Sequence, residues 1–311
     1  MIEEEIYEKI KKYDTIVIFG HVLPDGDCYG SEIGLKDAIK STFNDKKVYA
    51  VGSGLPRLFS RYGEMDVVSN EVISNSLAIA LDVANFERIE DQRFNLARDI
   101  IKIDHHLFAN AYGSIEWIDN SAASCSQMLA NFVMKMGMKI SPLGAEALLL
   151  GLITDSGRFQ FSSTSENSFE VASFLLKCGA SLKDLYDILY VVEAKDLRYK
   201  AYAYQNFVLD GGVSYLVIPF EDSKKYEVSP DYAASQVNLL ANIKGYPIWA
   251  TFAEREDGTV RVELRSSSVS VQPIAVKYNG GGHKQASGCK LEKLSDYKNV
   301  VEDLKIAAKE Q

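Results

Sequence analysis

The 311-residue chain is 47% hydrophobic and 25% charged, a balance that supports a proper core spread over two ordinary domains. Its longest apolar run, Ala145 to Ile153, falls short of the roughly 18 residues that span a bilayer and is interrupted by Glu146 and Gly151. The acidic start Met1-Ile-Glu-Glu-Glu lacks the basic residues of a signal peptide. A soluble, cytoplasmic protein is expected, without membrane contact. The formal net charge of −9 argues against a broad basic face for long duplex nucleic acid. It leaves room for a small anionic substrate, because metal ions in a carboxylate cluster reverse the local sign. Cys28, Cys125, Cys178 and Cys289 form no CxxC pair, so a reduced chain without a zinc ribbon or dithiol site is expected.

In chain order, Thr15–Gly20 reads as a buried strand, followed by a loop and a helix over about Tyr29–Ser41. Lys47–Val51, Leu77–Leu81 and Asp99–Ile103 are further strands. These runs are apolar throughout rather than alternating, the pattern of parallel strands covered on both faces. Helices follow over about Ala123–Met136 and Pro142–Ile153, the latter with Ser141 as N-cap and Pro142 in its first turn. The pattern predicts a doubly wound parallel-sheet α/β domain over residues 1–185. A helical, tyrosine-rich stretch from about Ser181 to Gln205 suits a connecting helix, giving a linker over 186–208. A smaller α/β domain is expected over 209–311. Within it, Val213–Pro219, Ile248–Glu254 and Thr259–Leu264 read as strands, the last two joined at Asp257-Gly258 as a hairpin. A helix near Val271–Tyr278 precedes a glycine cluster, and Leu294–Glu310 closes the chain as a helix.

The four histidines fall beside aspartates or glycines at the ends of these elements, and none is spent on an ordinary helix face. His21-Val-Leu-Pro-Asp25-Gly26-Asp27 directly follows the first strand, and ligands of open α/β sheets bind at strand carboxyl ends. An imidazole and two carboxylates in a tight turn can converge on a hard or borderline cation. Pro-Asp-Gly-Asp is also good turn chemistry by itself. Asp82 ends the third strand, and Asp104-His105-His106 ends the fourth, offering a ligand, an orienting carboxylate and a group free for substrate. Asp155 closes the apolar helix, where an acid opposes the helix dipole and a cation compensates. Each cluster alone has an ordinary explanation. Together they form the donor set of a two-metal hydrolase.

A fifth signal is Gly280-Gly281-Gly282-His283-Lys284. Consecutive glycines let backbone N–H groups close around an anion, and Arg265, after its strand, can add a bidentate phosphate contact. A flexible linker and an exposed strand-end arginine are the ordinary readings of these two features. Cys28 follows Asp27 but lacks an acid–base partner, so packing or helix initiation is its expected role.

In order and spacing, His21-x3-Asp25-x-Asp27, Asp82, Asp104-His105-His106 and Asp155 match the four motifs of the DHH phosphoesterase family. The Gly280–His283 segment with Arg265 resembles the DHH-associated C-terminal domain, so the resemblance covers nearly the whole chain. The compact two-domain size is similar to the nano-RNase/pAp phosphatase branch. RecJ-type exonucleases are longer, family II pyrophosphatases carry an Arg-Lys-Lys type motif absent here, and membrane-bound cyclic di-AMP phosphodiesterases add transmembrane and sensor segments.

The resemblance implies an Mn²⁺-dependent enzyme with two ions, for which Mg²⁺ or Co²⁺ can substitute. His21 and Asp25 would hold one ion and Asp27, His105 and Asp155 the other, with Asp82 bridging. Asp104 would orient the histidine pair and His106 would face the substrate phosphate. Arg265, Gly281, Gly282 and His283 would bind substrate across a cleft between the domains. The implied substrates are very short single-stranded RNA, linear dinucleotides and 3′-phosphoadenosine 5′-phosphate (pAp). A dedicated pApA/pGpG phosphodiesterase is the enzymatic alternative, and a non-catalytic nucleotide-binding regulator is the alternative of another class. A homodimer is compatible with the resemblance.

Overall fold

The computed structural model describes residues 1–309, and of His283 the backbone. Strands β1 (Thr15–Phe19), β2 (Lys47–Val51), β3 (Leu77–Leu81), β4 (Asp99–Asp104) and β5 (Ile115–Ile118) form one parallel sheet in the order β2-β1-β3-β4-β5. After β2 the chain returns past β1, so β1 and β3 are neighbours at the point where the strand order reverses. Loops leaving the carboxyl ends diverge there and open a crevice. Every side chain of β3 is buried, as its unbroken Leu-Ala-Ile-Ala-Leu run demands.

One face of the sheet packs on the helices Ile2–Lys12, Gly26–Thr42, Cys125–Met136 and Pro142–Asp155 through Ile16, Ile18, Leu77, Ile79 and Ile101. The other buries Val17, Phe19, Ala78 and Ala80 against Ile73, Ile89 and Phe94, carried on short helical turns instead of full helices. The helix predicted from Tyr29 begins at Gly26, capped by Asp25, whose carboxylate accepts the N–H groups of Asp27 and Cys28. Ser141 caps the helix Pro142–Asp155 as expected. Gly30 faces the Ala147 carbonyl of that helix so closely that a Cβ would overlap it, so the glycine sets how near the two helices approach.

The fold divides into two units, Met1–Val191 and Val192 onward. The stretch expected as one connecting helix is two, Leu182–Tyr190 and Ala194–Asn206. Tyr199 and Tyr202 of the second are buried among Leu216, Ile218 and Trp249. The second unit holds a mixed sheet in the order β10-β11-β9-β8-β7-β6, where β6 is Val208–Asp210, β7 Val213–Ile218, β8 Ile248–Glu254, β9 Val260–Ser266, β10 Gly281–His283 and β11 Ala286–Leu291. β7 and β8 run parallel and the other pairs antiparallel. The Asp257-Gly258 turn joins β8 to β9 as predicted, with Gly258 at φ +80°. The last helix runs Tyr297–Lys309, and Glu310, included in the expected helix, lies outside the described residues.

Candidate metal centre

The strand order explains why Asp82 is central. Its strand lies between β1, which leads into His21, and β4, which leads into His105 and His106. Asp82 is buried, in the left-handed region at φ +59°, and its N–H donates to the Ile103 carbonyl of β4. Its two carboxylate oxygens point different ways. Oδ2 lies 3.5 Å from His21 Nε2, while Oδ1 lies 3.3 Å from His105 Nε2 and 3.5 Å from His106 Nδ1. His105 Nε2 also lies 3.2 Å from Asp155 Oδ2 and 3.8 Å from Asp27 Oδ2. Asp27 is fully buried, and its carboxylate accepts the N–H groups of Cys125 (2.7 Å) and Ser126 (2.9 Å). The same side chain therefore faces the site and satisfies the first turn of the helix Cys125–Met136.

Donor atoms converge within 4.8 Å of one another in three groups: His21, Cys28 and Asp82; Asp82, His105 and His106; Asp27, His105 and Asp155. Asp25, predicted beside His21, joins none of them among the described residues. Its Oδ1 caps the helix and lies 4.0 Å from His21 Nε2. Asp104 accepts both the N–H and the ring Nδ1 of His106, at 3.2 and 2.8 Å, and fixes that ring. His106 is the exposed member of the pair, with 47% of its side chain accessible against 14% for His105.

This donor set fits a divalent cation. Asp82 Oδ1 and His105 Nε2 are buried without a hydrogen-bond partner, facing one another across a space that only charge compensation makes favourable. Burial, together with the Asp82 and Asp155 carboxylates, pushes the Asp27 carboxyl well above its ordinary range. Burial pulls His105 down, yet the carboxylates of Asp155, Asp82 and Asp27 outweigh it and push its pKa up to about 11. Asp82 moves the opposite way: burial raises it, but His105 and His21 bring it below the usual carboxylate value. A bound cation would replace the protons in this arrangement, since ligands must be deprotonated.

Cys28 was expected to pack, while two further contributors, Gly151 and Lys102, escaped the sequence reading. Cys28 is buried beside His21, and its Sγ accepts the His21 N–H at 3.2 Å; burial raises its thiol pKa well above normal, in keeping with a packing role. Gly151 gives Asp27 its room. A Cβ there would overlap Ser126 Oγ and lie 2.5 Å from Asp27 Oδ1. Lys102, fully buried on β4, donates from Nζ to the Ala84 carbonyl at 2.6 Å and the Asn110 carbonyl at 3.3 Å, and lies 3.9 Å from Asp104 Oδ2. It ties together the two loops that follow Asp82 and His106. Lys102→Met is expected to lower kcat roughly 10–100-fold by loosening these supports. Steady-state kinetics beside a melting curve checks it, and an unchanged kcat would reduce Lys102 to a space-filler.

In the second unit, Arg265 lies on β9, with Nη1 donating to the carbonyls of Leu264 (2.9 Å) and Ser287 (3.3 Å) and Nη2 3.1 Å from Glu263. The glycine cluster, read as a loop, enters a strand: Gly281, Gly282 and His283 pair with Gly288, Ser287 and Ala286. A Cβ on Gly281 would meet nothing within 4 Å, whereas one on Gly280 would overlap the Gly288 carbonyl. The hairpin thus needs Gly280 for close approach and leaves space above Gly281. The His283 side chain lies outside the described residues.

Two domain families match: the DHH family N-terminal domain over residues 15–152 and the DHHA1 domain over residues 211–310. The chain is 34% identical to the bifunctional oligoribonuclease and PAP phosphatase NrnA of Bacillus subtilis, covering 99% of both chains. It is 35% identical to the protein of that name from Mycoplasma genitalium, over 96% of this chain and 95% of the relative. Among solved structures, an exopolyphosphatase-related protein from Bacteroides fragilis superposes with a TM-score of 0.86 at 25% identity, covering 99% of this chain and 97% of that one. With a buried carboxylate placed between His21 and the pair His105 and His106 at the switch point of a parallel sheet, this chain belongs to the DHH family of metal-dependent phosphoesterases and is a hydrolase.

Proposed function

We propose that the protein hydrolyses very short oligoribonucleotides, linear dinucleotides and pAp at a centre of two Mn²⁺ ions, in the cytoplasm. The relatives at 34 and 35% identity are named for oligoribonuclease and PAP phosphatase activity, and no helix among the described residues is long and apolar enough to cross a membrane. The observation that carries the two-ion reading is the division of Asp82: one oxygen faces His21 and the other faces His105. In this assignment His21 and Asp25 serve one ion, Asp27, His105 and Asp155 the other, and Asp82 both. When bound, the ions would supply an acidified water and neutralise charge on the phosphoryl oxygens.

The protein's own groups do the rest. Asp27 and Asp155 hold His105 between them. As the oxygen of water forms its bond to phosphorus and releases its proton to solvent, the bond from phosphorus to the ester oxygen breaks. His106 lends a proton to that departing oxygen from the ring edge opposite Asp104, whose hydrogen bond raises the His106 pKa. Residues 1–185 carry this chemistry. Within 209–311, Arg265, Gly281, Gly282 and His283 bind the substrate's phosphate.

Arg265→Ala is expected to raise KM for pAp about tenfold, the loss of a charge-assisted phosphate contact, with kcat little changed. Kinetics on pAp checks this, and an unaltered KM removes Arg265 from the substrate site. The function itself is tested with MnCl₂ and a substrate panel of pAp, pApA, pGpG and RNA of two to five nucleotides. Specificity constants should be high for pAp and the dinucleotides and fall with length. Activity confined to pApA and pGpG would instead support the dedicated phosphodiesterase, and none at all would leave a nucleotide-binding regulator.

A further inference from the structure

The second unit contains a cavity of about 340 Å³ between the segment entering β8 and the segment leaving β9. Tyr246, Trp249, Pro247, Asn242, Ser267 and Ser268 line it, and none of its lining residues carries a charge. Two aromatic rings, a proline and a few amide and hydroxyl groups suit a flat, polar-edged heterocycle rather than a phosphate. The cavity is preformed. Trp249 Nε1 donates to Asn238 Oδ1 at 3.0 Å, which fixes the indole. The Ser267 N–H donates to the Pro247 carbonyl at 2.9 Å, and Gln285 Nε2 donates to the Ser267 carbonyl at 2.9 Å, so both walls are tied to each other and to the glycine hairpin.

Its position in the sheet gives the cavity a meaning. Trp249 pairs with Arg265, Arg265 with Ala286, and Ala286 with His283, so these residues stand in one row across β8, β9, β11 and β10. Neighbouring strands are about 4.8 Å apart. The uncharged aromatic cavity is therefore one strand from the arginine assigned to phosphate, the scale on which a nucleotide carries its base beside its phosphate.

We propose that this cavity is a nucleobase site, with Tyr246 stacking on a purine whose phosphate meets Arg265. This inference rests on the nucleotide-hydrolase reading and names the part of the substrate that the second unit recognises. A base held here would make the protein select nucleotides over other short phosphoesters.

The test uses the full chain with Tyr246→Ala, Tyr246→Leu and Tyr246→Phe. Substrates are pAp and its base-free analogue 1-deoxyribose 3,5-bisphosphate. Loss of one base stack corresponds to about a tenfold rise in KM. We expect that rise for pAp in the Ala and Leu variants, with kcat within twofold, no change for the base-free analogue, and wild-type behaviour in the Phe variant. Equal effects on both substrates, or none on either, overturn the proposal. Direct binding of AMP by calorimetry separates this site from the catalytic reading. Tenfold weaker AMP binding in the Ala variant supports the base site even if no substrate is turned over, whereas unchanged AMP binding rejects it.

Discussion

Asp82→Asn should abolish turnover, by at least about 10³-fold in kcat or about 4 kcal/mol of transition-state stabilisation, while leaving a folded protein. Asparagine is isosteric and tolerates the left-handed backbone at φ +59° better than alanine does, so the change removes charge and little else. The loss follows from the geometry: Asp82 is the one carboxylate lying within 3.5 Å of both His21 and His105 among the described residues. Without cation, the variant is expected to stay folded but melt somewhat below wild type, because His105 and His21 hold the Asp82 carboxyl below its usual range and the folded state favours the charge that asparagine removes. Added Mn²⁺ should raise the melting temperature of wild type, as any ligand of the folded state does, and that of the variant much less. Retained activity in the presence of Mn²⁺ would sink the metal assignment.

Gly151→Ala is expected to damage stability and site together. The new methyl would overlap Ser126 Oγ and press on Asp27 Oδ1. Relief requires moving either the helix Pro142–Asp155, which carries Asp155, or the N-terminus of the helix Cys125–Met136, which Asp27 holds through two N–H groups. Overpacking of this kind costs about 2–3 kcal/mol, and displacing Asp27 should weaken cation binding about 10–100-fold. Gly30→Ala makes the informative comparison. It overlaps the Ala147 carbonyl where the helices Gly26–Thr42 and Pro142–Asp155 meet, and its nearest neighbours do not include Asp27, so it should destabilise comparably while metal affinity in the folded fraction is largely kept. Thermal melts and metal titrations of the two variants distinguish them. Equal metal affinities would deny Gly151 any role in shaping the site.

Much of the first unit was legible because its strands are buried on both faces. An unbroken apolar run such as Leu77–Leu81 has no alternative as a partly exposed element, and its limits are those of β3. Residues at strand ends were likewise readable as candidate ligands, since ligands gather where strands of an open sheet end. The helix Ile2–Lys12 was missed although Ile6 and Ile10, one helical turn apart, are both fully buried. That signal was available. No local signal marked β10, where glycines have poor strand propensity and pairing with β11 decides the conformation.

The amino-acid sequence by itself determined the parallel α/β character of the first unit and the set of imidazoles and carboxylates from which a metal centre is built. Periodicity and residue type are local properties, and both survive in a linear reading. Only the tertiary structure decided the division of labour within that set. It placed β3 between β1 and β4, giving Asp82 histidine neighbours on both sides. It brought Asp27 to a helix N-terminus 98 residues away, turned Asp25 toward capping, and set buried Lys102 beneath the loops that bear the site. Such roles arise from strand order and side-chain burial, which join residues remote in sequence and so leave no local pattern.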